Sequence, residues 1–320
     1  MVGIAVWGLG GHAFKNVLPA ISQFPEFELI GVCSRNLESR KQALDRWGGQ
    51  SWALPAEMLR CSSVDIVYLA TPTGLHFEHG MEVMRAKKHL ICEKSLTAEP
   101  QQSQQLIHFA RLEDLVLCEA VMFEYHPQFS ALRKAVHHDD FGKALHAFCC
   151  FGLPRLEKPG FRLNKALGGG ALLDVGCYPL AMARALFGEL ATPLHAHLEF
   201  PGIGEVDTAG DASLLFADGT RADVAWGYNR AYTAEILVLG EKQSVYVDRV
   251  FSKPPTMPSS IVLRDDSGKA RSIPVPAADG FVEMFRVVRD ALASADVREG
   301  LRSRAASQAK LIEGVLGCAK

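Results

Sequence analysis

None of the eight cysteines stands in a C-x-x-C spacing, and most sit inside apolar runs such as Leu90-Ile-Cys-Glu. They read as reduced, mostly buried thiols and give no support for a disulfide framework. Neither sign of charge dominates: 34 Lys and Arg face 36 Asp and Glu, for a formal net charge of -2. With the basic residues scattered and not gathered into a stripe, there is no general electrostatic reason to bind nucleic acid. The first residues, Met1-Val-Gly-Ile-Ala-Val-Trp, bring no basic start and no apolar stretch long enough for a signal or a membrane span. A cytoplasmic chain without membrane attachment is expected. Metal-ligand spacings are scarce too. The cluster His137-His138-Asp139-Asp140 has adjacent side chains that point apart on a helix or strand, so it reads as a solvated helix end and no metal is expected.

What is present is an ordinary globular balance, 48% hydrophobic and 22% charged, over 320 residues. That length exceeds what one core usually organises, so two domains are expected. From residue 1 to about 119 short apolar runs alternate with turns and helical stretches, the rhythm of parallel strands joined by helices. Strands are read near Val2-Trp7, Glu28-Cys33, Ile66-Ala70, His89-Cys92 and Val116-Glu119, with helices over His12-Ser22, Leu37-Trp47 and Leu75-Lys87. The strand cores are apolar throughout, as a sheet covered on both faces requires.

After Glu119 the rhythm changes. A helix around His126-His138 and a glycine-led helix over Gly168-Leu186 are followed by strand signals at His195-Phe200, Ala212-Phe216, Arg221-Trp226, Glu235-Leu239 and Ser244-Val247. A strand at Ala144-Phe151 precedes them, Asp218-Gly219 marks a hairpin, and Lys253-Pro258 reads as a loop. Residues 120–320 are expected to form an α+β domain for substrate binding and oligomerisation, with a large, mostly antiparallel sheet closed by helices around Phe281-Ala293 and Leu301-Leu316.

The first strand runs straight into Gly8-Leu9-Gly10-Gly11-His12-Ala13, which fits G-x-G-x-x-A and is followed by a helix. Glycines there permit a tight turn and close backbone approach to a pyrophosphate, and free N–H groups at the helix start favour negative charge. With further β-α units behind it, residues 1–119 are expected to form a doubly wound, Rossmann-type dinucleotide-binding domain. The second strand ends in Cys33-Ser34-Arg35. No carboxylate stands there to take a ribose 2'-hydroxyl, whereas Ser34, Arg35 and, one helical turn on, Arg40 suit a 2'-phosphate. NADP is the expected cofactor and NAD the alternative.

Two more strand ends, Ala70-Thr71-Pro72-Thr73 with His76 beyond it and Glu93-Lys94-Ser95, should open on the nicotinamide side, since ligands of such sheets sit beyond the carboxyl ends of the strands. In Gly168-Gly169-Gly170-Ala-Leu-Leu-Asp174-Val-Gly-Cys-Tyr178, Asp174 and Tyr178 are four apart and share one helical face. The glycines before them let something approach the helix start closely.

These residues together resemble the Gfo/Idh/MocA oxidoreductases, named for glucose-fructose oxidoreductase and inositol dehydrogenase. The resemblance spans nearly the whole chain: the glycine loop, Thr71-Pro72 with His76, Cys92-Glu93-Lys94, Glu119-Ala-Val-Met-Phe-Glu-Tyr-His-Pro, and Gly169-Gly170-Ala-Leu-Leu-Asp174-Val-Gly-Cys-Tyr178-Pro. It implies that Lys94 and Tyr178 are catalytic. A phenol near pKa 10 donates a proton slowly at neutral pH, so a cation beside it, Lys94, is required. Asp174 would orient Lys94 or a substrate hydroxyl, and the resemblance makes Arg162 and Tyr232 substrate contacts. The branch with tyrosine includes dihydrodiol and xylose dehydrogenases and ketoreductases of nucleotide-linked deoxysugars. The stretches Tyr232-Thr-Ala-Glu-Ile-Leu-Val-Leu-Gly and Val247-Asp-Arg249-Val-Phe251-Ser-Lys-Pro-Pro look most like the last group.

Three readings of function follow: reduction of a nucleotide-linked keto-deoxysugar, oxidation of a free aldose or dihydrodiol, and a non-catalytic NADP-binding regulator. The acid-base set argues against the third. One departure from the family pattern is Ser95, where proline is common. A cis bond before serine would cost roughly 3 kcal/mol, and the sequence alone leaves this bond open between cis and trans. An antiparallel sheet with one face uncovered by helices usually packs on another sheet, so a homodimer or homotetramer is expected.

Overall fold

The computed structural model describes residues 1–319 and divides into two compact units. The first is Met1–Ala120 with Phe281–Ala306; the second is Val121–Gly280 with the described residues from Ser307 onward.

The first unit carries strands β1 (Val2–Trp7), β2 (Phe27–Cys33), β3 (Gln50–Trp52), β4 (Ile66–Leu69), β5 (His89–Cys92) and β6 (Leu117–Glu119). They form one sheet in the order β3-β2-β1-β4-β5-β6 with every pair parallel. Helices α1 (Leu18–Ser22), α2 (Leu37–Trp47), α3 (Pro55–Arg60), α4 (His76–Arg85) and α5 (Pro100–Leu112) make the crossovers. A π-type turn at Ala13–Val17 leads into α1, where a continuous α-helix from His12 is expected from sequence. Order reverses at β1, whose neighbours are β2 and β4, so the ligand crevice of this fold lies at the ends of these two strands. The strand centres are fully buried, with Ile4, Val6, Val67, Leu69 and Ile91 at 0% exposure.

The second unit holds α6 (Pro127–Val136), α7 (Cys177–Phe187) and strands β7 (Ala144–Gly152), β8 (Ala191–Glu199), β9 (Ala209–Phe216), β10 (Arg221–Gly227), β11 (Thr233–Gly240), β12 (Gln243–Val247), β13 (Ser259–Asp265) and β14 (Ala270–Val275). The sheet order is β14-β13-β12-β11-β7-β10-β9-β8, antiparallel except for the parallel pair β7 and β10. One face packs on α6 and α7 around Leu132, Leu180, Trp226, Ile236 and Phe251. Lys165–Phe187 is the one stretch among the described residues long and apolar enough to cross a membrane, and 72% of its most apolar window is buried, as in a core helix.

Helices α8 (Gly280–Ala293) and α9 (Ala295–Cys318) follow. The sequence rhythm groups residues 281–306 with the second part, yet Phe281–Ala306 packs into the first unit. The reason is a fork of guanidinium groups on α9: Arg298 and Arg302 both bond the Asp114 carboxylate, and Arg302 also donates to the Leu115 carbonyl at 2.6 Å.

Candidate active site

In the first unit the expected nucleotide residues gather at the carboxyl ends of β1, β2, β4 and β5. Gly8 has φ +106°, and a Cβ there would stand 2.6 Å from the Ala70 carbonyl, so only glycine lets the end of β1 lie against the chain leaving β4. Gly10 and Gly11 are exposed, and a Cβ on either would meet nothing, leaving an open backbone cradle ahead of buried Ala13. Leu9 between them is half-buried.

His12 and Glu93 tie this loop to β5. The imidazole Nε2 lies 2.8 Å from Glu93 Oε1, which also accepts from Tyr68 at 2.5 Å. Burial would raise the Glu93 carboxyl, but the imidazole, the Tyr68 hydroxyl and the Lys94 charge outweigh it and hold the pKa at about 2. Glu93 is therefore an anion at neutral pH, locked to the glycine loop. At the end of β2, Arg35 is exposed, Arg40 is half-buried on α2, and Ser34 Oγ accepts the Asn36 N–H at 3.2 Å.

Beyond β4, Thr71 Oγ1 lies 3.2 Å from His79 Nδ1, and the His79 ring stacks on Trp7 at 4.2 Å. Pro72 opens a short turn in which Thr73 is buried and which runs into α4. His76 is enclosed: Nδ1 sits 2.9 Å from the Ser95 carbonyl and Nε2 2.8 Å from that of Thr71. Burial lowers its pKa against the pull of these carbonyls, and a neutral ring can donate to only one of them. The ring thus clamps two loops and faces backbone on both sides.

The Lys94–Ser95 bond is cis, which settles the geometry that the sequence leaves open. Neighbouring contacts set the turn: Ser95 is buried with its carbonyl against His76, and the Leu96 N–H donates to Glu119 Oε1 at 2.8 Å. Lys94 is partly buried beside Glu93.

In the second unit Tyr178 stands in the first turn of α7 and Asp174 in the π-type turn Leu172–Gly176 that leads into it, with the Asp174 side chain only 9% exposed. Its Oδ2 accepts from Arg162 Nε at 2.7 Å and from the Tyr228 hydroxyl at 3.1 Å. Arg162, expected as a substrate contact, is thereby engaged within the protein and also lies over the Phe161 ring. The glycine run admits the chain itself: a Cβ on Gly169 would strike the Arg162 carbonyl at 2.6 Å, and one on Gly170, whose φ is +127°, the Asp207 carboxylate at 2.4 Å. Asp207 accepts the Leu172 N–H at 2.6 Å, and burial pushes its carboxyl up to about 6 despite these backbone donors.

Tyr178 is 8% exposed, with its ring among Phe151, Phe251 and Phe123 at centroid distances of 5.3, 5.6 and 6.1 Å. The Cys177 carbonyl beside it accepts from Gln308 Nε2 at 3.0 Å, and Gln308 Oε1 accepts from Arg184, which also pairs with Glu124 and Glu189. Tyr232 is half-exposed under the Arg249 guanidinium and donates to the Ser252 carbonyl at 3.2 Å. Asp207, in the loop before β9, Tyr228, just past β10, and Gln308 on α9 carry no local motif that marks them in the sequence. The His137 cluster shows no grouping of three metal-ligating residues among the described residues; His137 Nε2 faces the Leu186 carbonyl.

Known proteins give the chain its place. Residues 2–120 match the family model described as the oxidoreductase family with an NAD-binding Rossmann fold, and residues 129–246 match the GFO/IDH/MocA C-terminal domain. A dTDP-3,4-didehydro-2,6-dideoxy-alpha-D-glucose 3-reductase from Streptomyces violaceoruber is 32% identical over 98% of this chain and 94% of that protein. One of the same name from Actinomadura kijaniata is 29% identical over the same shares. The crystal structure of KijD10, a 3-ketoreductase from Actinomadura kijaniata, in complex with NADP and TDP-benzene superposes with a TM-score of 0.94 at 29% identity, covering 100% of this chain and 98% of that one. The glycine loop on a parallel sheet, the acid and tyrosine on the glycine-led helix and the two domain matches agree: the chain belongs to the Gfo/Idh/MocA oxidoreductases.

Proposed function

We propose that this chain is an NADPH-dependent reductase of a nucleotide-linked keto-deoxysugar. The observation that carries the reading is its full-length likeness to the 3-ketoreductases above, one of them solved with NADP and a TDP ligand. The first unit fits a dinucleotide: Gly10 and Gly11 leave the cradle open where a side chain would fill it, and exposed Arg35 with no acid beside it at the end of β2 suits a 2'-phosphate. Gly8, Leu9, Gly10, Gly11, His12, Ala13, Ser34, Arg35, Arg40, Ala70, Thr71, Pro72, Thr73, Glu93 and Lys94 would hold it, with His76 shaping the loop from within.

When bound, NADPH supplies the hydride that the ketone carbon accepts. In this assignment the protein's part is the oxygen. Tyr178 gives its phenolic proton to the oxygen as negative charge gathers there, and Lys94 donates a hydrogen bond to the same oxygen and stabilises the phenolate left behind. Asp174 holds Arg162 and Tyr228 at the helix start and so fixes the turn that carries Tyr178. The aromatic cage excludes water from one face of the phenol.

Of three arginines that could meet a nucleotide handle, Arg162 and Arg230 are each paired with a carboxylate, while Arg249 makes no ion pair among the described residues and stacks on Tyr232. That favours a charged, aromatic-seeking substrate over a free aldose. We also take the enzyme to be cytoplasmic and homo-oligomeric, without nucleic-acid or membrane partners. Its near-neutral charge and the uncovered face of the eight-stranded sheet support this.

The test is a fluorescence titration with NADPH and NADH, repeated in Arg35→Ala, followed by NADPH consumption with a dTDP-linked 3-keto-deoxysugar. Tighter NADPH binding that collapses in the variant, with turnover of the keto sugar, is expected. Turnover of free aldoses alone would replace this reading by a sugar dehydrogenase.

A further inference from the structure

The second unit buries a cation that the mechanism does not use. Arg184 lies on α7 and is 2% exposed. Taking a guanidinium out of water is costly, and an ion pair offsets that cost only when the remaining donors are matched as well. Nη1 donates to Glu189 Oε2 at 2.8 Å, Nε to Gln308 Oε1 at 3.1 Å, and Nη2 to Glu124 Oε1. The Glu189 side chain is half-exposed and is the weaker anchor; the Glu124 side chain is 6% exposed and Gln308 is 1% exposed.

Both buried partners lead to Tyr178. Glu124 belongs to the short turn Met122–Tyr125, whose Phe123 packs on the Tyr178 ring at a centroid distance of 6.1 Å. Gln308 reaches the backbone instead: its Nε2 donates to the carbonyl of Cys177, the residue before Tyr178, at 3.0 Å.

Chemistry fixes which way the Gln308 amide faces. A guanidinium only donates and a carbonyl only accepts, so Oε1 must meet Arg184 and Nε2 must meet Cys177. A carbonyl also has a second lone pair beyond its helical bond, which Gln308 fills from α9. One guanidinium thus holds the wall against which the phenol leans and, through one amide, the first turn of the helix that carries it. A buried ion pair is weak evidence for stability by itself, but here it terminates at two points on one side chain.

We propose that Gln308, held by Arg184, is a positioning residue for Tyr178, setting where the phenolic hydroxyl meets the substrate oxygen. This deepens the reading of the preceding section and rests on it. A misplacement of about 1 Å at reacting atoms is enough to slow a step severely, so a contact behind the helix can govern turnover without touching substrate.

Two substitutions separate position from packing. Gln308→Met keeps the length of the side chain and removes both bonds. Gln308→Glu keeps an acceptor for Arg184 and sets a carboxylate against the Cys177 carbonyl, so it tests the backbone contact with the guanidinium still paired. Each is made in wild type and in Tyr178→Phe. NADPH consumption with a dTDP-linked 3-keto-deoxysugar is followed at high enzyme concentration as single turnovers, so that slow variants stay measurable, together with KM, NADPH affinity and Tm.

Turnover should fall about tenfold in both Gln308 variants while KM and NADPH affinity hold. In the Tyr178→Phe background neither change should slow the reaction further, since the hydroxyl being positioned is gone. A merely structural role would give the same loss in both backgrounds. Wild-type turnover in Gln308→Glu, or an undiminished loss on top of Tyr178→Phe, would overturn the positioning role and leave the keto-sugar reading intact. Wild-type turnover in Tyr178→Phe, or a wild-type enzyme that ignores the keto sugar, would overturn the reading on which it rests.

Discussion

Arg162 Nε donates to Asp174 Oδ2 at 2.7 Å, pinning the turn before the glycine run to the helix that carries Tyr178. Tyr228 shares that oxygen. Because the guanidinium is partly exposed, solvent screens the pair, and a double-mutant cycle of Asp174→Asn with Arg162→Met should give a coupling of about 1–2 kcal/mol in stability. The same Asp174→Asn change should lower turnover while NADPH affinity holds. Zero coupling would show that the two groups are neighbours without energetic consequence.

Tyr178→Phe and Lys94→Ala should each reduce turnover by about a hundredfold or more, since each removes one of the two groups assigned to the developing alkoxide. NADPH affinity in Tyr178→Phe should be unchanged. Wild-type turnover in either variant would remove that residue from the chemistry.

Glu93 gives the fold an acid limb with a definite sign. Its pKa falls from the ordinary 4.5 to about 2 in the folded chain, because His12, Tyr68 and Lys94 outweigh burial. A depressed acid contributes stability above its unfolded pKa and loses it as pH falls from about 4.5 through about 2. The contribution at neutral pH is on the order of 3 kcal/mol. Glu93→Gln should therefore lower the urea midpoint at pH 7 and approach wild type near pH 2. A gap of constant size across that range would place the effect elsewhere, in packing.

The uncovered face of the eight-stranded sheet presents Phe148, 42% exposed and stacked with His146 at 4.5 Å, together with Leu239 and Tyr246. Apolar groups in a row on a sheet face favour association with a second copy. Phe148→Glu should convert a dimer or tetramer to smaller species in light scattering. A wild-type monomer would refute the expectation of an oligomer.

The parallel sheet was legible because each strand is a buried apolar run and each crossover carries its own turn signals. β3 escaped, being only three residues, Gln50–Trp52, with a polar start. β13 and β14 escaped for a different reason. They lie at the edge of the second sheet, and β14 contains Pro274, a residue that argues against a strand unless no inner neighbour needs its missing N–H. The glycine loop, Lys94 and Tyr178 were visible because their motifs are local. Tyr228 and Asp207 were not, because their meaning comes from contacts with a turn more than thirty residues away, and sequence spacing says nothing about which remote residue will arrive at Asp174 or at Leu172.

The parallel pairing of β7 with β10 has a consequence for how the chain is made. Both neighbours of β7, β10 and β11, come later in the sequence, and His146 on β7 bonds Asp223 on β10, 77 residues on. At roughly 5–20 residues per second, a ribosome leaves β7 exposed for roughly 4–15 s before the first neighbour emerges. Its apolar run, Ala147-Phe-Cys-Cys-Phe151, spends that interval with both edges open to other chains. Shelter of this one nascent strand is therefore expected to raise the yield at high expression, with no change to the finished active site.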